Sequence, residues 1–439
     1  MLPLLLVASL GFWQDAYDED FHVYTEAPRL FLTKQRLRLL ERERERKSMR
    51  WEQFDALVSG GAPMPEQGLA WALDYRVAKN QAAGRKAVEW AADEKHTDVR
   101  QLALIFDWCS PLMTPAQGDK IAAKLEKSLS GPAGDVAQQS ARVLAAIAVA
   151  DRLPDRGEAV LKGIVRWWRG EIAKNPGSIP REQIYALYEM MHAVHDNLKI
   201  EMREAAPEYF NMLPVDHLVS HYPSPFSAAE NEYRVPVYTR DGEPDLTEAV
   251  FSRAAELAMV AYDNNAAGSQ YLQGWLMQDR FLMRGALGVV YEFLWANPYQ
   301  PGLSYFQMPL VFHDAASGHV FARSSWDEDA TWIGFFDGHL QLFRNGQVET
   351  LRPGATFPPL HIGDAVLIKG RDPEYRFRAD GEAVFVLGLA PKAAYDVEVD
   401  NEELSERETD TGGTLVISLP PGPEGAAPDL GARIKKRIK

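Results

Sequence analysis

Between residues 220 and 234 the chain gathers a histidine, two tyrosines, an asparagine and an arginine: His221, Tyr222, Asn231, Tyr233 and Arg234. Polar and aromatic side chains collected on an irregular loop are what a ligand site needs, because loops held on a rigid scaffold are where recognition is built. Three carboxylates lie in or beside the same stretch, Asp216, Glu230 and Glu232. Two facing carboxylates are the machinery of glycoside hydrolysis, and their separation sets the stereochemical outcome. His217 and His221 stand four residues apart, a spacing that would bring both to one metal if the segment were helical. No third ligand of suitable spacing accompanies them, and Pro214 and Pro223 bracket the segment as a short turn. No metal and no other cofactor is expected. His192 and His195 sit on the helix that carries Ile184, Tyr188 and Met191, where a histidine is more often a satisfied core or cleft-wall residue. The single cysteine, Cys109, lies on the apolar face Ile105-Phe106-Asp107-Trp108-Cys109 and reads as a small buried hydrophobe.

These residues must be positioned by elements whose pattern changes at about residue 300. Before that point, helix signals recur with short gaps. Thr33 caps a helix carrying the alternating run Glu41 to Lys47, which reads as a solvated face. Asp98 caps the segment with Leu102, Ile105 and Cys109, and Thr114-Pro115-Ala116-Gln117 is a capping box with proline at the first helical position. Helical patterns continue through Val143–Ile147, Leu161–Ile172 and Ile184–Met191. After an irregular stretch at 214–245 they resume at about 246–262 and 270–290. About ten helices joined by short loops make stacked αα-hairpins, and an irregular array of that size fits an incomplete (α/α) toroid.

From Leu310 onward the period becomes two. Strands are expected at 310–313, 319–323, 331–336, 340–343, 347–351, 365–368, 383–387, 395–399 and 414–419, with Asn345-Gly346 closing a hairpin. Eight or nine such strands make a short antiparallel β-sandwich. Ile434 to Lys439 reads as a frayed basic tail. Helices followed by strands mean separately built units rather than an interleaved sheet. The expected division is an apolar arm or signal over 1–11, a helical toroid over 28–300 and a sandwich over 301–439.

Composition bounds the function. The net charge of -15 argues against a nucleic-acid partner, which needs a basic face. It also favours a polyanionic ligand only where a local basic pocket overrides the global field. One cysteine excludes an internal disulfide framework. The apolar run Leu4 to Leu10 ends in small residues spaced as a cleavage site but lacks a basic leader; export to the periplasm or medium is the expectation, with a cytoplasmic location the alternative. No later segment has the apolar length of a membrane span.

Two stretches carry a resemblance. Pro28-Arg29-Leu30-Phe31-Leu32-Thr33, leading into a charged helix and Trp51, resembles the opening of the toroid in heparinase II/III and alginate-lyase-type polysaccharide lyases. Phe321-Ala322-Arg323-Ser324-Ser325-Trp326, followed by Ala330-Thr331-Trp332, resembles the strand pair that opens their sandwich. The resemblance implies a partner that is an acidic polysaccharide or oligosaccharide, cleaved by β-elimination beside a uronic acid. It implies a carboxylate-neutralising Asn, His or Arg, a Tyr or His base, and a Tyr acid. Carried onto this chain, catalysis falls to Tyr233, His221, Asn231, Arg234 and His192, and substrate contact to Tyr222, Tyr188 and Tyr238. From the sandwich the family contributes a histidine-rich loop. Here Asp337-Gly338-His339-Leu340 turns directly into a hairpin, so His339 alone represents it. Two further readings stay open. One is a glycoside hydrolase on a similar scaffold. The other is a catalytically degenerate glycan- or protein-binding relative, with Tyr209, Phe210, Tyr222 and Tyr238 as stacking platforms.

Overall fold

A computed structural model describes residues 19–131, 134–229, 231–278, 282–352, 355–362, 365–369, 374–378, 383–400, 404–419 and 429–437. The expected arm over 1–11 and the candidate Glu230 lie outside the described residues. Among the described residues thirteen α-helices precede Val311, beginning with α1 Lys34–Glu45, α2 Met49–Ser59, α3 Gln67–Ala78, α4 Gln81–Ala92, α5 Val99–Cys109, α6 Pro115–Leu129 and α7 Val136–Ala148. They continue with α8 Pro154–Gly170, α9 Ile184–Leu198, α10 Pro207–Val219, α11 Leu246–Tyr262, α12 Ala267–Gln278 and α13 Gly288–Trp295. No helix among the described residues is long and apolar enough to cross a membrane.

The helices sort into two rings by their hydrophobicity. Every residue from Gln101 to Cys109 of α5 is buried, as is all of α13, and α9 and α11 are nearly so. A helix apolar all round must be surrounded, and these are the inner members. In α6 only Gly118, Ile121, Ala122, Leu125 and Leu129 are buried, and in α8 only Gly157, Leu161, Ile164, Val165 and Trp168. Those are one-sided stripes, so α4, α6 and α8 wrap the outside. Inner neighbours follow the order α3, α5, α7, α9, α11, α13, and α13 then packs on α2. Trp51 and Phe54 of α2 meet Phe293 of α13 at centroid distances of 5.5 and 4.9 Å, so helices from the two ends of the array touch. Thr33, Asp98 and the Thr114–Gln117 box cap their helices as the sequence indicates. The segment at 207–219 differs from expectation. Pro214 sits inside α10, and the helix carries His217 almost to its end.

The strands are β1 Phe226–Ser227, β2 Glu232–Tyr233, β3 Val311–Asp314, β4 His319–Arg323, β5 Trp332–Phe336, β6 His339–Arg344, β7 Gln347–Leu351 and β8 Phe357–Ile362. They continue with β9 Ala365–Lys369, β10 Glu374–Arg378, β11 Ala383–Val386, β12 Ala394–Val399, β13 Ser405–Glu408, β14 Leu415–Ser418 and β15 Asp429–Lys436. The first two form a small hairpin in the 220–234 loop. Among the described residues the other strands build three stacked sheets: β3-β4-β5-β6-β7, β14-β11-β9-β8 and β10-β15-β12-β13. All neighbours are antiparallel except β9 and β11. Asp337-Gly338 and Asn345-Gly346 close two-residue hairpins with positive φ at all four positions, the geometry that matches strand twist.

Alternation along the first sheet explains the stacking. Phe321, Trp332, Phe336 and Phe343 join the helical core, whereas Val320, Ala322, Ile333, Phe335, Leu340 and Leu342 face the second sheet. The second sheet in turn buries Val366, Ile368, Val384, Val386 and Ile417 against Phe377, Val397 and Ile434 of the third. The expected frayed tail is therefore an interior strand, β15, paired on both sides and burying Ile434. Arg433 and Lys435 lie on the exposed face while Ala432 and Ile434 pack inward.

Candidate functional site

The same two-residue alternation places His319, Phe321 and Arg323 of β4 on the side that faces the helices. At the His319 end, a cleft of about 530 Å³ opens between the helical body and the first sheet. Its helical wall comes from the 177–184 segment, from α10 with Tyr209, Asp216 and His217, and from the 236–240 segment with Tyr238 and Arg240. Its other wall is Asp314, His319, Phe336 and Asp337 of the first sheet.

His319 is held between two carboxylates. Nδ1 lies 3.4 Å from Asp216 Oδ1 and Nε2 lies 3.6 Å from Asp337 Oδ1. Burial opposes a charged ring, but the two carboxylates outweigh it and raise the imidazole to about 10. Asp337 itself is lowered, first by its contact with the His319 ring. Arg181 crosses the cleft wall, donating from Nε to Ser252 Oγ at 2.9 Å, from Nη1 to Ser220 Oγ at 2.6 Å and from Nη2 to the His217 carbonyl at 3.1 Å. Burial lowers its pKa, with Glu256, Asp216 and Tyr209 opposing. Tyr209 is raised by desolvation, then by Tyr188 and Asp216, while Arg181 pulls the other way; it remains a phenol at neutral pH.

Beneath the cleft floor lies fully buried Glu256. Ser252 Oγ donates to its Oε1 at 2.9 Å, with His221 Nε2 at 3.3 Å and His217 Nδ1 and Arg181 Nη2 each at 3.6 Å. The His221 Nδ1 hydrogen goes to the His217 carbonyl, 2.6 Å away, since a carbonyl can only accept. Burial, then Arg181, holds both imidazoles well below the usual histidine range, so they are neutral at pH 7.

The residues singled out from the sequence divide among several places. Tyr238, Asp216, His217 and Tyr209 line the cleft. His221, Tyr222 and Arg234 line a smaller cavity of about 210 Å³ at the Arg323 end of β4. Tyr222 donates to Gln341 Oε1 at 2.8 Å and is buried against Trp332 and Phe343. Asn231 Nδ2 donates to the Leu282 carbonyl at 2.6 Å, and Tyr233 is buried, so both hold the loop down. Tyr188 packs on Phe210 and Tyr262 in the core. His192 is also internal, 4.6 Å from Trp295 and 4.9 Å from Tyr262, with Nε2 3.1 Å from the Ala258 carbonyl. His339 stands exposed at the start of β6, opposite Phe336. Glu232 is exposed. Arg181, His319 and Asp337 are among the cleft residues not singled out from the sequence. The available signal was a histidine and an arginine on one face of β4, which local pattern cannot tie to α10.

No known family profile matches the sequence, and no curated protein matches it. Among solved structures, one similar chain is described as a glycoside hydrolase. The two are 9% identical, with a TM-score of 0.32, over 85% of this chain and 72% of that one.

Proposed function

We propose that this is a carbohydrate-active protein that takes a uronate-containing polysaccharide in the cleft and cleaves it by β-elimination. The observation that carries the reading is convergence: Tyr209, His217 and Arg181 of the helical body and His319 of the first sheet line one cleft. Elimination needs a neutralised carboxylate, a base for the α-proton and an acid for the leaving oxygen. Arg181, anchored by three hydrogen bonds, meets the uronate carboxylate. The neutral imidazole of His217 takes the α-proton, the C–H pair becomes the C=C bond, and the C–O bond breaks. Tyr209, held protonated, supplies the proton to the departing oxygen.

A second reading has its own support. Asp216 and Asp337 face one another across the His319 ring, and Glu182, Glu248 and Asp314 add further negative charge to the cleft. A carboxylate pair in an acidic cleft suits hydrolysis of a neutral glycan. Incubation with hyaluronan, chondroitin, heparan sulfate, alginate and a panel of neutral glucans and xylans, followed by ultraviolet absorbance and a reducing-end assay, separates the two. Elimination predicts new absorbance that falls at least about a hundredfold in rate in Tyr209→Phe, the scale of one acid–base residue. New reducing ends without absorbance, lost in Asp216→Asn, would establish hydrolysis instead. With no product of either kind, both reactions are ruled out for that panel.

A further inference from the structure

Arg323 lies four residues beyond His319 on the same side of β4, roughly 13 Å further along at about 3.3 Å per residue. There it lines the smaller cavity, which shares no lining residue with the cleft. It is 6% exposed, and its guanidinium stacks on Trp326 at 4.2 Å from the ring centroid. Among the described residues no carboxylate lies within ion-pair distance of it, Asp327 of the same cavity acting on it only through space, and its Nε has no hydrogen-bond partner. A buried cation without an ion-pair partner is costly, and the cost is relieved when an anion arrives. Desolvation brings its pKa down only to about 10, so it is fully charged at neutral pH. A second cation, Arg234, reaches the same cavity, donating from Nη1 to the Pro223 carbonyl at 3.0 Å and from Nη2 to Glu328 at 2.8 Å. Trp275 supplies an apolar wall, and Phe306, 53% exposed, stands at the mouth.

We infer that this cavity is a second binding site, which takes the carboxylate of a small ring-bearing ligand on Arg323. The planar guanidinium fork matches a carboxylate with two parallel hydrogen bonds. Arg234 adds charge from the rim, and the ring of the ligand packs against Trp275 and Phe306. This site goes beyond the reaction proposed for the cleft and does not depend on it.

The test is a titration of tryptophan fluorescence of the full chain with glucuronate, with glucose as the neutral control. The expected result is a saturable change with glucuronate alone that weakens as salt rises. Affinity should fall at least tenfold in Arg323→Lys, which keeps the charge but loses the fork. Arg234→Gln, at the rim and outside the core, should weaken binding severalfold and serves if the Arg323 variant does not fold. Both arginines lie outside the cleft, so glucuronate binding that survives both variants is binding in the cleft, and failure of the cleft reaction and failure of this site are read separately. Glucuronate binding that is absent, equal to that of glucose, or indifferent to both arginine variants overturns the inference.

Discussion

His192 and His319 show how position, not residue type, sets a side chain's chemistry. His192 is enclosed by Trp295, Tyr262 and a carbonyl, and burial lowers it to about 4. His319 is also mostly buried, yet Asp216 and Asp337 carry it to about 10. The two therefore act on stability in opposite pH ranges. The folded-state pKa of His319 is above its unfolded value near 6.5, so its contribution is complete below that pH and is lost as pH rises through about 10. The contribution of neutral His192 is complete above about 6.5 and is lost as pH falls through about 4. An imidazole proton-resonance titration should find His319 still charged at about pH 8 and His192 still neutral at about pH 5. Replacing Asp337 by Asn should bring the His319 midpoint down; a wild-type midpoint near the ordinary histidine value would show that the two carboxylates do not hold it. Cys109 behaves as its surroundings suggest, with burial pushing its thiol up to about 12.

Elements were legible where periodicity and caps agreed, and less so where an element is polar or interrupted. The capping box at Thr114 and the hairpin at Asn345-Gly346 are local chemistry, and both stand where the sequence puts them. Strands β10, with Glu-Tyr-Arg-Phe-Arg, and β13, with Ser-Glu-Arg-Glu, bury one face at most and carry little apolar signal. The Glu41–Lys47 run is less solvated than its alternation suggests. Glu43 is buried, Arg44 donates to the Val77 carbonyl at 2.7 Å, and Arg42 and Arg46 stack over Tyr299. At this scale the joint between α2 and α13 is the informative test. Phe293→Ala removes the ring that stacks on Phe54 and meets Trp51, and should cost about 3–5 kcal/mol, as for other buried aromatic truncations. Urea denaturation reads the change; a loss below about 1 kcal/mol would mean that this contact does not hold the ring's ends together.

For the whole molecule, the first sheet belongs to two cores at once. Trp332 is fully buried in the helical core and donates from Nε1 to the Val219 carbonyl at 3.1 Å, while neighbouring Ile333 faces the second sheet. Helical body and first sheet should therefore unfold together. Far-ultraviolet helical signal and near-ultraviolet aromatic signal are expected to share one thermal midpoint, and Trp332→Ala should lower both together. A helical signal that outlasts the aromatic one would show that the ring stands without the sheet. This shared core also builds both cavities, since each is walled by helices on one side and β4 on the other.

The amino-acid sequence by itself determined the order of helices then strands, the capped helix starts, the tight hairpins, and the faces of helix and strand that are apolar. Those features depend on residues a few positions apart, within reach of hydrogen bonds and side-chain periodicity. Only the tertiary structure decided which polar residues meet. His319 finds Asp216 across 103 positions of chain, and Tyr222 finds Gln341 across 119. It also decided that the described strands from β3 onward stack as three sheets and that the basic last strand lies inside one of them. Pairing between distant segments is fixed by the summed burial of whole faces, which no local stretch of residues records.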